Sequence, residues 1–169
     1  MRCLIYILLI CPLLSRGQLH DSTSINRFIK QFDKSELANN NDYTRQVSDK
    51  GNKYVENWHY ADNGQVSMLT INYTIDTAAI SVACTEKYYF NRGVLIYAYE
   101  SETFFKPSEG LPKGTKWSGD FYFSNGKLID YVTLGHGKSE LDNWKPEKEI
   151  LERLSRRKAQ LKELAGKPG

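Results

Sequence analysis

Residues whose types could do chemistry are few and scattered along the 169-residue chain. The histidines are His20, His59 and His136. No two of them stand in an H-x-x-x-H pair, so no metal site is expected. His136 lies between Gly135 and Gly137, an exposed position suited to touching a ligand. Cys84 sits in Ala83-Cys84-Thr85 within a strand-like run, where a free cysteine reads as a small core hydrophobe. A nucleophilic cysteine needs a lowered pKa and a histidine base, and no local pattern supplies them. Glu100 and Glu102 are spaced to share one strand face and could work as a carboxylate pair, although carboxylates near a strand end read as solvated. There is no G-x-S-x-G, no P-loop and no dinucleotide fingerprint. No catalytic residue, cofactor or metal ligand is therefore assigned. An enzymatic reading would have to fall back on Cys84, His136 or Glu100.

The most informative constellation is aromatic. Of 11 tyrosines, Tyr60, Tyr89 and Tyr122 each stand four residues before a glycine, namely Gly64, Gly93 and Gly126. Val66, Leu95 and Leu128 each stand two residues after it. Each glycine follows Asn63, Arg92 or Asn125, and Asn-Gly supplies the positive φ angles of a tight hairpin turn. Arg92 fits such a turn least well, which predicts a longer turn there. Three hairpins with the same spacing are expected.

If all three turns hold two residues, side-chain alternation sorts the strands into two faces. Tyr88, Phe90, Leu95, Tyr97, Phe121, Phe123, Leu128, Val66 and Met68 share one. Tyr60, Tyr89, Ile96, Ala98, Tyr122, Ile129 and Tyr131 share the other. The first face is expected to pack on the helices. The second is the expected binding surface, with Tyr60, Tyr89, Tyr122, Tyr131 and His136 as the binding residues, because a tyrosine ring with a polar tip suits a half-exposed interface. The plainer alternative is that a loop, the C-terminal helix or a second subunit covers that face.

The elements around these hairpins follow from pattern. Asp21 to Ser24 offers helix N-caps, and Ile25, Phe28, Ile29 and Phe32 form one apolar stripe on a helix ending near Ala38. Residues 43–52 are polar and read as a loop or a frayed edge strand. Strands are expected over Tyr54–Ala61, Gln65–Tyr73, Ser81–Phe90, Val94–Phe105, Trp117–Phe123 and Lys127–Leu134. Between the fourth and fifth, Lys106 to Thr115 carries two prolines and two glycines and reads as a surface loop able to carry function. Pro146 opens a C-terminal helix to about Ala165, with Ile150, Leu154, Leu161 and Leu164 on its apolar stripe and Arg157 occupying one stripe position. From Lys145 onward there are eight Lys or Arg against four Glu, a solvated face or a docking element for an anionic partner.

The first 17 residues read differently from the rest. A short basic start, an apolar run from Leu4 to Leu14 and small residues at Ser15 and Gly17 predict a secretory signal peptide cleaved near Gly17. That run is too short for an ordinary membrane span, so no transmembrane anchor is expected in the mature chain. Removing it takes Arg2 and Arg16, leaving 21 basic residues against 20 acidic ones, which argues against nucleic acid as a partner. It also takes Cys3 and Cys11, leaving Cys84 alone, so the fold must rest on its core rather than on disulfides. Asn72-Tyr73-Thr74 matches an N-glycosylation sequon, and Asp21-Ser22-Thr23 and Asp76-Thr77-Ala78 match a short O-glycosylation pattern.

With Gln18 after the leader, Y-Y-F-x-x-G-x-L-I at 88–96, F-Y-F-x-x-G-K-L-I at 121–129 and a charged C-terminal helix, the chain resembles a group of uncharacterised secreted bacterial proteins. The resemblance implies a bacterial envelope or periplasmic setting and carries over no site residue. The expectation is then a signal peptide over 1–17, a single α+β domain over 18–165 and a flexible end over 166–169. The domain is an antiparallel β-meander of about six strands with an N-terminal and a C-terminal helix, both packing mainly on one face. Its expected role is non-catalytic binding or interaction with an envelope protein or a glycan. An envelope enzyme and a structural part of an envelope assembly are the alternatives.

Overall fold

The computed structural model describes residues 19, 21–35, 42–49, 52–77, 79–106 and 116–165. The expected signal peptide over 1–17, His20, residues 107–115 of the expected surface loop and the expected flexible end over 166–169 lie outside the described residues. Helix α1 spans Ser22–Ser35. Asp21 caps it by accepting the Ser24 backbone N–H at 2.8 Å, which satisfies a donor that the first turn leaves open. The same bond holds the Asp21 carboxyl below the usual range. Seven strands follow in simple meander order: β1 Asp42–Asp49, β2 Asn52–Tyr60, β3 Val66–Asp76, β4 Ser81–Asn91, β5 Val94–Phe105, β6 Lys116–Ser124 and β7 Lys127–Gly135. Helix α2, Pro146–Ala165, closes the described chain. The strand count is thus seven rather than six. The polar stretch after α1 is a full edge strand, paired with β2 from Asp42↔His59 to Asp49↔Asn52.

The turn at Arg92-Gly93 is a two-residue turn after all, closed by Asn91↔Val94 with φ of 53° and 77°. Asn125-Gly126 is built alike, with φ of 52° and 76°. The Asn63-Gly64 turn is longer. Ala61 donates its N–H to the Gln65 carbonyl at 2.9 Å, so three residues lie in the loop. Each of these three hairpins then carries a β-bulge at the third residue after its glycine: Ser67, Ile96 and Ile129. A bulge adds one unpaired residue and reverses the facing of everything beyond it.

The bulges and the longer first loop rearrange the expected faces. One face buries Trp58, Leu69, Ile71, Tyr88, Phe90, Leu95, Ala98, Trp117, Phe121 and Phe123 against Ile150 and Leu154 of α2, with Tyr60 packed at the margin. The other buries Met68, Tyr89, Ile96, Tyr97 and Tyr122 against Ile25 and Phe32 of α1. Tyr97 and Met68 therefore sit opposite to their expected side, as do Ala98, Tyr60 and Tyr131. The helices do not share a face: α1 covers one side and α2 the other, a helix–sheet–helix sandwich. Consecutive Tyr88 and Tyr89 make the point, one under each helix. The apolar stripe of α1 is the predicted one, with Ile25 and Phe32 buried and Phe28 and Ile29 at its margins.

Glycines seat the Trp117 indole. A Cβ at Gly137 would come within 2.7 Å of the Trp117 ring, and one at Gly119 within 2.6 Å of Phe121 and 3.2 Å of Trp117. Gly135 has φ of +85° and approaches the Lys116 carbonyl so closely that a Cβ would lie 1.9 Å from it. The Gly135-His136-Gly137 segment thus wraps the end of β6.

Candidate functional site

Antiparallel partners point their side chains to the same side, so each level of the sheet forms a row. One row on the α2 face runs through Arg45, Glu56, Ile71, Glu86, Glu100 and Gly119. The next runs through Tyr54, Tyr73, Cys84, Glu102 and Trp117. Glu56, Glu86 and Glu100 are buried at 0%, 3% and 2% exposure, a burial that carboxylates adopt only when paired.

Glu86 and Glu100 are direct cross-strand neighbours, and like charges so placed repel. Arg153 of α2 resolves this. Its Nη1 donates to Glu86 Oε1 at 2.7 Å and to Glu100 Oε1 at 3.0 Å. The Tyr73 and Tyr88 hydroxyls donate to Glu86 at 2.9 and 2.6 Å. Burial pushes the Glu86 carboxyl up, but the Arg153 charge and these donors outweigh it and hold it below the carboxylate range. Burial and the Glu86 charge push both tyrosine hydroxyls up, so they stay protonated. Lys138, in the turn after β7, pairs with Glu100, reaches to 3.5 Å from Glu102 and lies 4.6 Å over the Trp117 ring.

Glu56 is served from the other side. Its Oε2 accepts from Arg45 Nε at 2.7 Å and from Trp58 Nε1 at 3.0 Å. Arg157, one helical turn beyond Arg153, lays its guanidinium on the Tyr54 ring at 4.1 Å. Its Nη1 comes to 3.5 Å from Glu56 Oε1, yet neither atom makes a hydrogen bond among the described residues.

A cleft of about 240 Å³ opens beside this row, between α2 and the β2–β3 part of the sheet. It is lined by Tyr54, Tyr73, Ile75, Glu86, Arg153, Arg156, Arg157 and Gln160. The Tyr54 and Tyr73 rings are cross-strand partners with centroids 4.7 Å apart. Two wider depressions, of about 710 and 360 Å³, lie elsewhere on the described surface, but neither is lined by a buried polar atom lacking a partner. The cleft under α2 has such atoms on both Arg157 and Gln160.

The expected site residues are not brought together. Tyr89 is buried under α1, its hydroxyl donating to Asp33 at 3.0 Å. Tyr122 is buried beside it and bonds Asn26 at 3.1 Å. Tyr60 and Tyr131 lie on the α2 face, Tyr60 half-buried and Tyr131 half-exposed against Phe121 and Trp144. The expected exposed tyrosine face thus divides between two sides of the sheet, and α1 covers its centre. His136 is exposed and pairs with Glu140 at 2.6 Å, four residues on. Burial pushes the Cys84 thiol up to about 11, the opposite of an activated nucleophile. Glu100 is not solvated but committed to Arg153 and Lys138.

The charged row and the cleft beside it were legible only in part. Glu56, Glu86 and Glu100 each stand two positions from an inward aromatic or alanine, namely Trp58, Tyr88 and Ala98, and a charge at an inward strand position asks for a partner. Arg157 on the apolar stripe of α2 supplies the complementary signal. Among the described residues no helix is long and apolar enough to cross a membrane. No known protein family, curated protein or solved structure matches the chain.

Proposed function

We propose that the protein is an exported, non-catalytic binding module of the cell envelope or periplasm, and that it binds through the cleft under α2. The supporting observation is the contrast between the groups that converge there. Those able to exchange protons are committed: Glu86 is held ionised by Arg153, and Tyr73 and Tyr88 are held protonated against Glu86. Those able only to bind line the cleft: the Arg156 and Arg157 guanidinium groups and the rings of Tyr54 and Tyr73. Catalysis requires a proton carrier or nucleophile within reach of a bound substrate, whereas recognition requires only donors and apolar walls. Export is carried by the signal-like pattern of the first 17 residues.

The test is an amide-resonance screen of isotope-labelled protein against a small-molecule set of mixed charge that includes mono- and disaccharides. Binding compounds are expected to move the resonances of Tyr54, Tyr73, Ile75 and Gln160 and to be recovered unchanged. Compounds that moved only resonances remote from α2 would remove the cleft from consideration, and chemical conversion of a bound compound would remove the non-catalytic reading.

A further inference from the structure

We infer that the ligand of this cleft carries an oxyanion, a carboxylate or a phosphate, that seats on Arg156 and Arg157 with its apolar part against Tyr54 and Ile75. The inference rests on the binding reading above and adds the chemistry of the ligand.

Charge balance carries it. Glu56 is a single carboxylate facing two guanidinium groups, Arg45 and Arg157. Arg45 and Trp58 hold Glu56 Oε2, Arg45 at 2.7 Å, while Arg157 Nη1 stands 3.5 Å from Oε1 without a hydrogen bond, so one carboxylate is shared between two guanidinium charges. Arg153 places its charge between Glu86 and Glu100, with Nη1 donating to both. Arg156 makes no ion pair with a described residue. The cleft is therefore lined by three guanidinium groups and one carboxylate, and that carboxylate already accepts three donors.

Burial makes this surplus consequential. The Arg157 side chain is 8% exposed, and a guanidinium charge so enclosed, sharing its one carboxylate with Arg45, attracts an incoming anion strongly. The Tyr54 ring beneath it fixes the plane of the fork, which suits two-oxygen recognition of carboxylate or phosphate and lowers the cost of ordering the side chain. Ile75, 37% exposed at the rim, supplies an apolar wall. At about 240 Å³ the cleft falls below the usual size for a drug-like ligand, so it takes a small molecule or one terminal group of a larger one.

The experiment titrates purified protein with benzoate, phenyl phosphate and the neutral analogue benzamide at fixed ionic strength, following amide and arginine Nε–H resonances. Benzoate or phenyl phosphate is expected to saturate and to move Tyr54, Ile75 and Arg157, whereas benzamide is not. Whichever anion binds more tightly names the carboxylate or the phosphate source. Arg156→Gln, at an exposed position that leaves the fold intact, is expected to weaken anion binding about tenfold, the loss of roughly one charge-assisted contact. Benzamide binding in the cleft as well as benzoate would overturn the inference while leaving the binding reading standing. No saturable shift with either anion up to about 10 mM, well above a millimolar Kd, would overturn it as well. So would an equal shift produced by chloride alone.

Discussion

Arg153 is the side chain whose removal most directly tests how α2 is held to the sheet. Its guanidinium bridges two buried carboxylates on adjacent strands at 2.7 and 3.0 Å, with only 19% of the side chain exposed. Each such charge-assisted bond contributes about 1.5–3 kcal/mol, and breaking a buried ion pair by deleting one partner costs about 3–5 kcal/mol. Arg153→Met keeps most of the aliphatic stem, so nearly all of that cost comes from Glu86, left without a cation, and from Glu100, left with Lys138 alone. The expected loss at pH 7 is about 3–5 kcal/mol, read from urea unfolding followed by tryptophan fluorescence.

The pH dependence separates this cause from packing. In the parent, Glu86 is held below its ordinary value, so its contribution is present above the unfolded pKa and fades as pH falls through the folded one. In Arg153→Met the largest influence opposing burial is gone, and burial raises Glu86. A raised carboxyl destabilises most at high pH and is relieved by protonation as pH falls. The gap between parent and variant is therefore expected to narrow from pH 7 to pH 5. Adding Glu86→Gln to Arg153→Met should recover part of the loss at pH 7. A gap that stays constant with pH, or a loss under about 0.5 kcal/mol, would mean that the row is solvated and that Arg153 does not hold the helix in place.

Three further outcomes follow from particular contacts. Gly135→Ala places a Cβ 1.9 Å from the Lys116 carbonyl at a φ of +85°, so it should cost about 1–3 kcal/mol or more in thermal or urea unfolding, and an unchanged midpoint would refute the close approach. Cys84, with its thiol pushed up to about 11 by burial, should resist a disulfide reagent at pH 7.5 until the protein is unfolded; stoichiometric labelling of folded protein within the mixing time would contradict its burial. Tyr89→Ser removes a ring packed edge-on to Phe32 and should destabilise by about 3–5 kcal/mol, whereas Tyr131→Ser on the exposed β7 edge should cost far less; equal effects would refute the placement of α1 over Tyr89 alone of the two.

Most of the meander was legible because its signals are local. Six strands, the glycine-centred hairpins and the α1 stripe each depend on a few adjacent residues, and all stand where the pattern puts them. The side of the sheet on which a residue lies is a longer-range property. It depends on counting every residue through the turn, and nothing about Ser67, Ile96 or Ile129 marks them as extra. One uncounted residue per bulge was enough to misplace Tyr97, Met68 and Tyr131, and the third residue of the first turn misplaced Tyr60. The edge strand β1 was obscured for another reason: its residues are mostly polar and exposed, so it has no alternation to reveal it, and only its pairing with β2 makes it a strand.

The charged row was hidden by a habit of reading acidic residues in strands as solvated. The sheet shows why that habit fails here. At the hairpin end of the α2 face, rings such as Tyr88, Phe90, Phe121 and Phe123 pack against α2 as an apolar core. One level further along, Glu56, Glu86 and Glu100 replace them, and α2 answers with Arg157 and Arg153 one helical turn apart. An apolar core alone would let the helix slide or rotate over the sheet, since greasy contacts are weakly directional. Pairing Arg153 with two carboxylates and Arg157 with a third fixes register and azimuth together, the best-attested use of buried charge. The same device leaves a consequence at its end. Three guanidinium groups on one stretch of helix meet fewer carboxylate charges than they need, because Glu56 is shared between Arg45 and Arg157 and Arg156 makes no ion pair with a described residue. The surplus of positive charge therefore lines the cleft, which is where the proposed anionic ligand would dock.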